Sequence, residues 1–246
     1  MSRPVPRRAM ILAAGLATRM RPLTDTTAKP LLAVAGRSLL DRALDHLAAV
    51  GVERVVVNTH WQAEAVRAAL AVRDRPETIE SHEETLLDTG GAVVKALPHL
   101  GDEPFYVVNG DAFWLDGARP ALLRLAEAFD PAATDAVLLV HRAAQLPSYS
   151  GRGDFAVDPL GRVRRPKEKE IVPYLYAGVQ IAAPALFAGA PDGPFSTNLL
   201  WDRAIAADRL RAVVHDGIWL HLSTPEDLAE AEEMLRGRAS VFAYAR

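Results

Sequence analysis

The stretch Ala9-Met10-Ile11-Leu12-Ala13-Ala14-Gly15-Leu16-Ala17-Thr18-Arg19-Met20-Arg21-Pro22-Leu23-Thr24 decides the fold. Its first six residues are apolar and unbroken, the pattern of a strand buried on both faces of a sheet. Gly15 then ends the run in a small-residue turn. The same residues, preceded by Arg3, Arg7 and Arg8, imitate a secretory signal, and Arg7-Arg8 imitates a twin-arginine pair. The strand reading is preferred, because the run is at the short end for a signal core and Arg19 and Arg21 follow at once.

Strand-length apolar runs alternate with helical patterns as far as residue 141. Ser38–Val50 reads as a helix, with Leu39, Leu40, Ala43, Leu44 and Leu47 on a 3.6-residue period. Ser38 is placed to cap it and Gly51 to end it. Arg54–Asn58 reads as a strand, Trp61–Val72 as a helix, Glu77–His82 as a strand and Thr89–Leu97 as a short helix. Phe105–Val108 is a strongly apolar strand running into Asn109-Gly110-Asp111, followed by a helix over Arg119–Phe129 and a strand over Asp135–His141. Such alternation implies an α/β fold: a Rossmann-like, mostly parallel central sheet with helices on both faces. Ligands in these sheets bind beyond the carboxyl ends of the strands, where strand order reverses. Gly15 and Asn109-Gly110-Asp111 are the natural pair to face each other across that crevice.

The last third alternates more. Gly153–Val157, Arg162–Arg165 and Tyr174–Ile181 suggest a smaller antiparallel lobe. Asn198–Ala207 reads as a helix, and Arg211–His215 with Ile218–Leu222 as a hairpin around Asp216-Gly217. Thr224-Pro225 opens a final helix over Glu226–Leu235. No Pro/Ser-rich linker divides the chain, so residues 1–246 read as one domain whose character changes near residue 142.

The chain has 246 residues, half of them hydrophobic, enough for a sizeable core. It has no cysteine, which excludes a disulfide scaffold, a zinc ribbon, an iron–sulfur cluster and a cysteine nucleophile. Seven histidines leave a His/carboxylate metal site open. Lys+Arg 28 against Asp+Glu 31 argues against a nucleic-acid binder. No apolar stretch approaches the roughly 20 residues of a membrane span. The mild net charge of -3 conceals a cationic segment, since residues 1–42 hold eight basic residues against two acidic ones.

The first loop is not a dinucleotide fingerprint, because Gly15 is its only glycine, and it is not a Walker A loop. It offers a small-residue turn, the Thr18 hydroxyl, and then Arg19, Arg21 and Lys29. Arg presents a bidentate fork to phosphate oxygens and Lys a compact point charge. From spacing alone, a phosphate site and a solvated cationic loop are equally open.

The segment from Leu12 to Gly36, L-A-A-G-x-x-T-R-M-R-P-L-T…K-P-L-L-x-V-x-G, resembles the signature loop of the sugar-phosphate nucleotidylyltransferases, the NDP-sugar pyrophosphorylases. Asp88-Thr89-Gly90-Gly91-Ala92 resembles their second nucleotide-contacting segment. Val108-Asn109-Gly110-Asp111 resembles the strand end carrying their metal-binding aspartate, and Trp219–Pro225 their W-x-D-x-G-T-P element. Within the family, Thr89-Gly90-Gly91, Lys95–Pro98 and Gly151-Arg152-Gly153-Asp154-Phe155 are most similar to the branch that uridylylates N-acetylmuramate-1-phosphate in bacterial cell-wall (peptidoglycan) recycling. Mannose-1-phosphate guanylyltransferases share most of these features.

The resemblance implies an enzyme that condenses a nucleoside triphosphate with a sugar-1-phosphate and releases pyrophosphate. It implies catalytic roles for Arg19, Lys29 and Asp111, with Asp111 holding Mg²⁺ or another divalent metal. Leu12, Ala13, Ala14, Gly15, Thr18, Thr89, Gly90 and Asn109 would contact the nucleotide, and Gly153 and Asp154 the sugar. Residues 1–142 would be the nucleotide half and 143–246 the sugar half. The implied partners are these two small molecules, with no nucleic acid or membrane, in the cytoplasm; oligomeric state stays open. Two departures stand out. Ala17 replaces a common glycine, and His221 replaces the second metal aspartate, with Ser223 in place of the following glycine. Imidazole suits Mg²⁺ poorly. His221 could therefore ligate a softer metal, Asp111 could serve alone, or the chain could be a non-catalytic nucleotide-binding protein. Lys167 and Lys169 read as a solvated charge run and Asn198 as a helix cap.

Overall fold

The computed structural model describes residues 5–146 and 149–244, with the side chains of 238–244 outside that description. Arg3 lies outside the described residues.

Thirteen strands and six α-helices follow one another among the described residues. The order is β1 (Arg8–Leu12), β2 (Ala33–Val34), β3 (Arg37–Ser38), α1 (Leu39–Ala49), β4 (Arg54–Thr59), α2 (Ala63–Ala71) and β5 (Glu77–His82). Then come α3 (Asp88–Leu100), β6 (Phe105–Asn109), β7 (Phe113–Leu115), α4 (Ala121–Ala128) and β8 (Ala136–Arg142). The chain continues with β9 (Ala156–Val157), β10 (Val163–Arg164), β11 (Tyr174–Ala182), α5 (Asn198–Ala206), β12 (Leu210–Val214), β13 (Ile218–Leu220) and α6 (Pro225–Tyr244).

Seven strands form the central sheet in the order β12-β8-β11-β6-β1-β4-β5. Every pairing is parallel except the two made by β11, which runs against both β6 and β8. β1 occupies the interior, with Ala9, Met10 and Ile11 fully buried, so the opening apolar run is a core strand. Successive side chains of a strand point to opposite faces, and β1 shows it. Ala9 and Ile11 pack with Leu40 and Leu44 of α1, Val66 of α2 and Leu125 of α4. Met10 packs on the other face with Val93 of α3 and with Leu200 and Trp201 of α5. Ser38 caps α1 as its sequence predicts, its hydroxyl accepting from the Asp41 N–H at 3.0 Å.

The register places Leu12 beside Asn58 on one side and Asn109 on the other. Three adjacent strand ends therefore present Asn58, Leu12 and Asn109 in a row. From β1 the chain moves to β4 and β5 on one side, then returns to β6 on the other, so strand order reverses at that row.

Two expectations are corrected. The predicted hairpin over 211–222 does not form. β12 adds in parallel to β8 at the sheet edge, while β13 pairs antiparallel with β7, a strand the sequence reading missed. Gly217 serves a close approach instead, since a Cβ there would overlap the Leu115 carbonyl. Tyr174–Ile181 is antiparallel as expected, against both β6 and β8, but it does not belong to the smaller lobe. It is buried in the central sheet as β11, because Ala177, Val179, Ile181 and Ala182 have no exposed surface and need both faces covered. Only β9 and β10 form the small antiparallel pair expected there.

Candidate active site

A cleft of about 470 Å³ opens over the row of strand ends. Residues 12–15, Ala17 and Arg19 form one wall, Glu83, Leu86, Asp88 and Thr89 the opposite wall, and Lys29, Asn109 and Asp111 the far end. Ala13 and Ala14 are buried beyond the end of β1 rather than part of it. Two smaller clefts adjoin it. One of about 210 Å³ shares Leu12, Thr89 and Asn109 with the first and is lined further by Asp154, Phe155, Arg165, Tyr176, Asn198 and Trp201. The other, of about 130 Å³, shares Arg19, Lys29, Asn109, Asp111 and Ser223 with the first and is lined further by Tyr176 and His221.

Lys29 lies in a short 3₁₀ turn, Lys29–Leu31, and its Nζ donates to Asp111 Oδ2 at 2.6 Å. The ammonium is nearly enclosed while the carboxylate is half-exposed. Asp111 follows Gly110, whose N–H donates to the Leu12 carbonyl at 2.8 Å. A Cβ on Gly110 would stand 2.6 Å from that carbonyl oxygen and 2.9 Å from Pro30, so only glycine lets the Asp111 turn close against β1. On the other side β11 carries a register shift between Tyr176 and Gln180, with Gly178 at φ +78°. This bulge turns Tyr176 toward the site, as bulges beside functional sites do. Burial, and then the charge of Asp111, holds the Tyr176 hydroxyl well above the ordinary phenol range.

Arg19 sits in the 3₁₀ turn Thr18–Met20 and lines both clefts that contain Asp111. Arg21 turns away, paired with Asp25 at 3.2 Å. Several backbone groups of the expected nucleotide set are already engaged. The Ala13 N–H donates to Asn58 Oδ1 at 2.6 Å, and the Gly90 N–H donates to the Phe195 carbonyl at 2.8 Å. Thr89 is not the cap of α3. Its hydroxyl accepts from the Thr197 N–H at 2.9 Å and ties α3 to α5.

Asp154 lines the 210 Å³ cleft, with Oδ2 accepting from the Tyr176 N–H at 2.9 Å. Gly153 has a backbone role, with φ +76° and its N–H donating to the Tyr149 hydroxyl at 3.0 Å. Lys167 and Lys169 are exposed and line none of the three clefts. Their neighbour Arg165 does line the sugar-side cleft. Its guanidinium lies 4.6 Å from the Phe155 ring centroid, with Nε on Asp202 at 2.7 Å and one terminal nitrogen on Asn198 at 2.6 Å. Asn58, Glu83, Arg165 and Tyr176 are among the lining residues that sequence reasoning missed. Acidic residues straight after the parallel strand at His82 were the available signal for Glu83.

His221 is exposed and stands in the same small cleft as Asp111, its ring 5.8 Å from that of Trp219. Among the described residues no three His, Asp or Glu side chains gather as a metal-ligand set. Asp111 alone offers a half-exposed carboxylate at the junction of the clefts. That donor set fits a hard cation bound by one carboxylate and completed by substrate phosphates and water, not an all-protein cage. No helix among the described residues is long and apolar enough to cross a membrane.

The chain is similar in sequence and in fold to known proteins. The chain is 40% identical over 94% of its length to the N-acetylmuramate alpha-1-phosphate uridylyltransferase of Caulobacter vibrioides, and covers 97% of that protein. It is 34% identical to the enzyme of the same name from Neisseria meningitidis, over 92% of this chain and 97% of the relative. A mannose-1-phosphate guanylyltransferase catalytic subunit beta from Danio rerio is 28% identical over 89% of this chain, which spans 62% of that longer relative. The fold matches a UDP-glucose pyrophosphorylase solved with UDP-glucose, with TM-score 0.81 at 16% identity, over 94% of this chain and 99% of that one. Residues 9–240 match the MobA-like NTP transferase domain, and the chain belongs to that family of nucleotidyltransferases.

Proposed function

We propose that this chain transfers a uridylyl group from UTP to N-acetylmuramate-1-phosphate, giving a UDP-sugar and pyrophosphate. The observation that carries this reading is the Lys29–Asp111 pair, which lines both the 470 Å³ and the 130 Å³ cleft, next to the Asn109 shared by all three. A triphosphate lying along the large cleft, base toward Glu83 and Leu86, brings its α-phosphate to this junction. A sugar phosphate in the 210 Å³ cleft approaches from the other side. In this reading the residues before 143 bind nucleotide and the rest bind sugar.

A phosphate oxygen of the sugar phosphate attacks the α-phosphorus. The bond to the β-phosphate oxygen breaks in line, and pyrophosphate leaves without a covalent enzyme intermediate. Both reactants are anions, so the protein acts by positioning them and by neutralising charge. Lys29 meets the α-phosphate, and Arg19 neutralises the departing pyrophosphate with its forked donors. Asp111 would hold a divalent cation, which would supply further positive charge at the phosphates. Lys29 leaves Asp111 for phosphate as substrate enters, and the carboxylate becomes available in the same movement.

Arg165 supports the choice of sugar. N-acetylmuramate carries a lactyl carboxylate that mannose and glucose lack, and Arg165 is a cation on the wall of the sugar-side cleft. Two relatives that match over more than nine-tenths of this chain, at 40% and 34% identity, carry the N-acetylmuramate name. Such substrates belong to peptidoglycan recycling in the cytoplasm. Pyrophosphate release with UTP and GTP, each against N-acetylmuramate-1-phosphate, mannose-1-phosphate and glucose-1-phosphate, tests the reading. UTP with N-acetylmuramate-1-phosphate is the expected fastest pair. A faster GTP and mannose-1-phosphate pair would make the chain a guanylyltransferase. Tight triphosphate binding without turnover in any divalent metal would make it a binding protein.

A further inference from the structure

Along the 470 Å³ cleft runs a hydrogen-bonded chain whose central members, Asn58 and Glu83, lie outside the site motifs. Glu83 is 1% exposed, and among the described residues no Lys or Arg pairs with it. Its Oε1 accepts from Asn58 Nδ2 at 2.7 Å, and its Oε2 accepts from the Leu87 N–H at 2.9 Å. Asn58 is itself buried, and its Oδ1 accepts from the Ala13 N–H at 2.6 Å. Glu83 is anchored through its backbone as well. Its N–H donates to the Thr59 carbonyl at 2.8 Å, and its carbonyl lies 2.8 Å from His60 Nδ1.

A buried carboxylate without a cationic partner is costly, and an apolar side chain of similar size would fill the space at lower cost. The carboxylate is therefore kept for something other than packing. Its position shows what. Ala13 belongs to the loop wall of the cleft, Leu87 adjoins Leu86, Asp88 and Thr89 on the opposite wall, and Asn58 and Glu83 connect the two. We propose that Glu83 is a positioning residue for the nucleotide: through Asn58 and Leu87 it fixes both walls of the cleft and hence the fit of the base and ribose.

The polarity of the chain is forced. A backbone N–H only donates and a carboxylate only accepts, so Asn58 has one allowed amide orientation between Ala13 and Glu83. Glu83→Gln faces an amide donor toward either Asn58 Nδ2 or the Leu87 N–H and leaves a buried donor unpaired. Asn58→Asp sets two carboxylates against each other. Combining them restores every bond. Gln at 83 donates to Asp at 58 and accepts from the Leu87 N–H, while Asp at 58 accepts from the Ala13 N–H. The swap moves the charge by one residue and keeps both shapes.

This inference rests on the large cleft being the nucleotide site, and the test separates the two. UTP and N-acetylmuramate-1-phosphate KM and kcat are measured for wild type, E83Q, N58D and the double variant, with amide hydrogen exchange of residues 12–15 and 84–88 in the substrate-free proteins. E83Q is expected to raise the UTP KM at least tenfold, with kcat and the sugar-phosphate KM within about threefold of wild type. Exchange in both segments should accelerate about tenfold or more. The double variant should return the UTP KM and the exchange rates to within about threefold of wild type. An unchanged UTP KM in E83Q, equal rises in both KM values, or a double variant no better than the worse single variant would overturn the proposal. Should E83Q fail to fold, the isosteric double variant alone decides. Wild-type protein that neither binds nor turns over UTP would sink the functional reading instead, and the exchange data would still report whether Glu83 holds the walls.

Discussion

Lys29 and Asp111 share one ion pair from unequal positions: the Lys29 side chain is 10% exposed and the Asp111 side chain 44%. Removing either partner therefore has different consequences for the fold. Asp111→Ala strands a buried ammonium, an unpaired group that costs about 1–3 kcal/mol. Lys29→Met leaves a carboxylate that water can reach, and the new side chain packs in the same space, so it should cost less stability than Asp111→Ala. Turnover should fall in both variants by at least about a hundredfold, because each removes a charge from the reacting centre. Denaturant midpoints and pyrophosphate release for the two variants check this. Equal loss of stability would mean that the two groups are equally solvated, contrary to the geometry.

His221 lines the same small cleft as Asp111, in the position where the W-x-D-x-G-T-P element has its carboxylate. His221→Asp gives Asp111 a second oxygen ligand suited to Mg²⁺. Its rate in Mg²⁺ should rise severalfold, and the advantage of Mn²⁺ over Mg²⁺ should shrink, since imidazole favours the softer ion. Metal titrations of steady-state turnover read both effects. If His221→Asp and His221→Ala both leave the metal profile unchanged, position 221 does not touch the cation.

Ala17 adopts φ 49° and ψ 43°, the left-handed region, directly before the turn that carries Arg19. A Cβ there costs about 1–2 kcal/mol. Glycine removes that strain but adds freedom to the unfolded chain, which offsets about 0.4–1 kcal/mol. Ala17→Gly should therefore be neutral or stabilising by up to roughly 1.5 kcal/mol. Ala43→Gly, inside α1 and buried, should lose more than about 1 kcal/mol. Urea unfolding of the pair supplies the comparison, and a destabilised Ala17→Gly would contradict the backbone assignment.

The parts of the fold that the sequence made legible are those whose partners are set by local pattern. β1, β4 and β6 are centred on the apolar runs Ala9–Leu12, Val55–Val57 and Phe105–Val108, the composition that burial on both faces of a sheet requires. Ser38 and Gly51 mark the ends of α1 by capping chemistry that acts within a few residues. What local pattern could not give was the choice of partner strand. Asp216-Gly217 has the chemistry of a hairpin turn, yet β12 and β13 part company there because β8 and β7 offer each of them a buried edge. The site divides in the same way. Lys29 and Asp111 lie within contiguous motifs, whereas the link from Ala13 through Asn58 to Glu83 joins three segments by hydrogen bonds between residues 25 and 45 positions apart. Arg165 was hidden differently: it sits in a run of exposed charge, and only the fold shows that it alone of that run lies over Phe155.

His141 lies next to the last residue of β8. It is 3% exposed, with its ring 5.5 Å from that of Trp219 and 6.1 Å from that of His215. Among the described residues the Nδ1 atoms of His141 and His215 have no hydrogen-bond partner. Burial, then the neighbouring His215 and Arg142, push His141 down from 6.5 to about 4. Burial pushes His215 down as well. In the unfolded chain His141 takes up a proton near pH 6.5, whereas in the fold it does so only near pH 4. Between those values the unfolded state holds more protons, so acid favours unfolding. The contribution is complete above pH 6.5 and is lost as pH falls to 4, a gap worth roughly 3 kcal/mol. His141→Gln cannot titrate and should flatten the decline in stability between pH 6.5 and 4. A further fall at lower pH should persist in the variant, because Arg164 holds the Glu170 carboxyl down at about 2 and Arg67 holds Glu80 low. Urea midpoints at pH 7, 5.5 and 4.5 for both proteins measure the slope. An identical slope in His141→Gln would assign the acid sensitivity to other groups, with the neighbouring His215 the first to replace in turn.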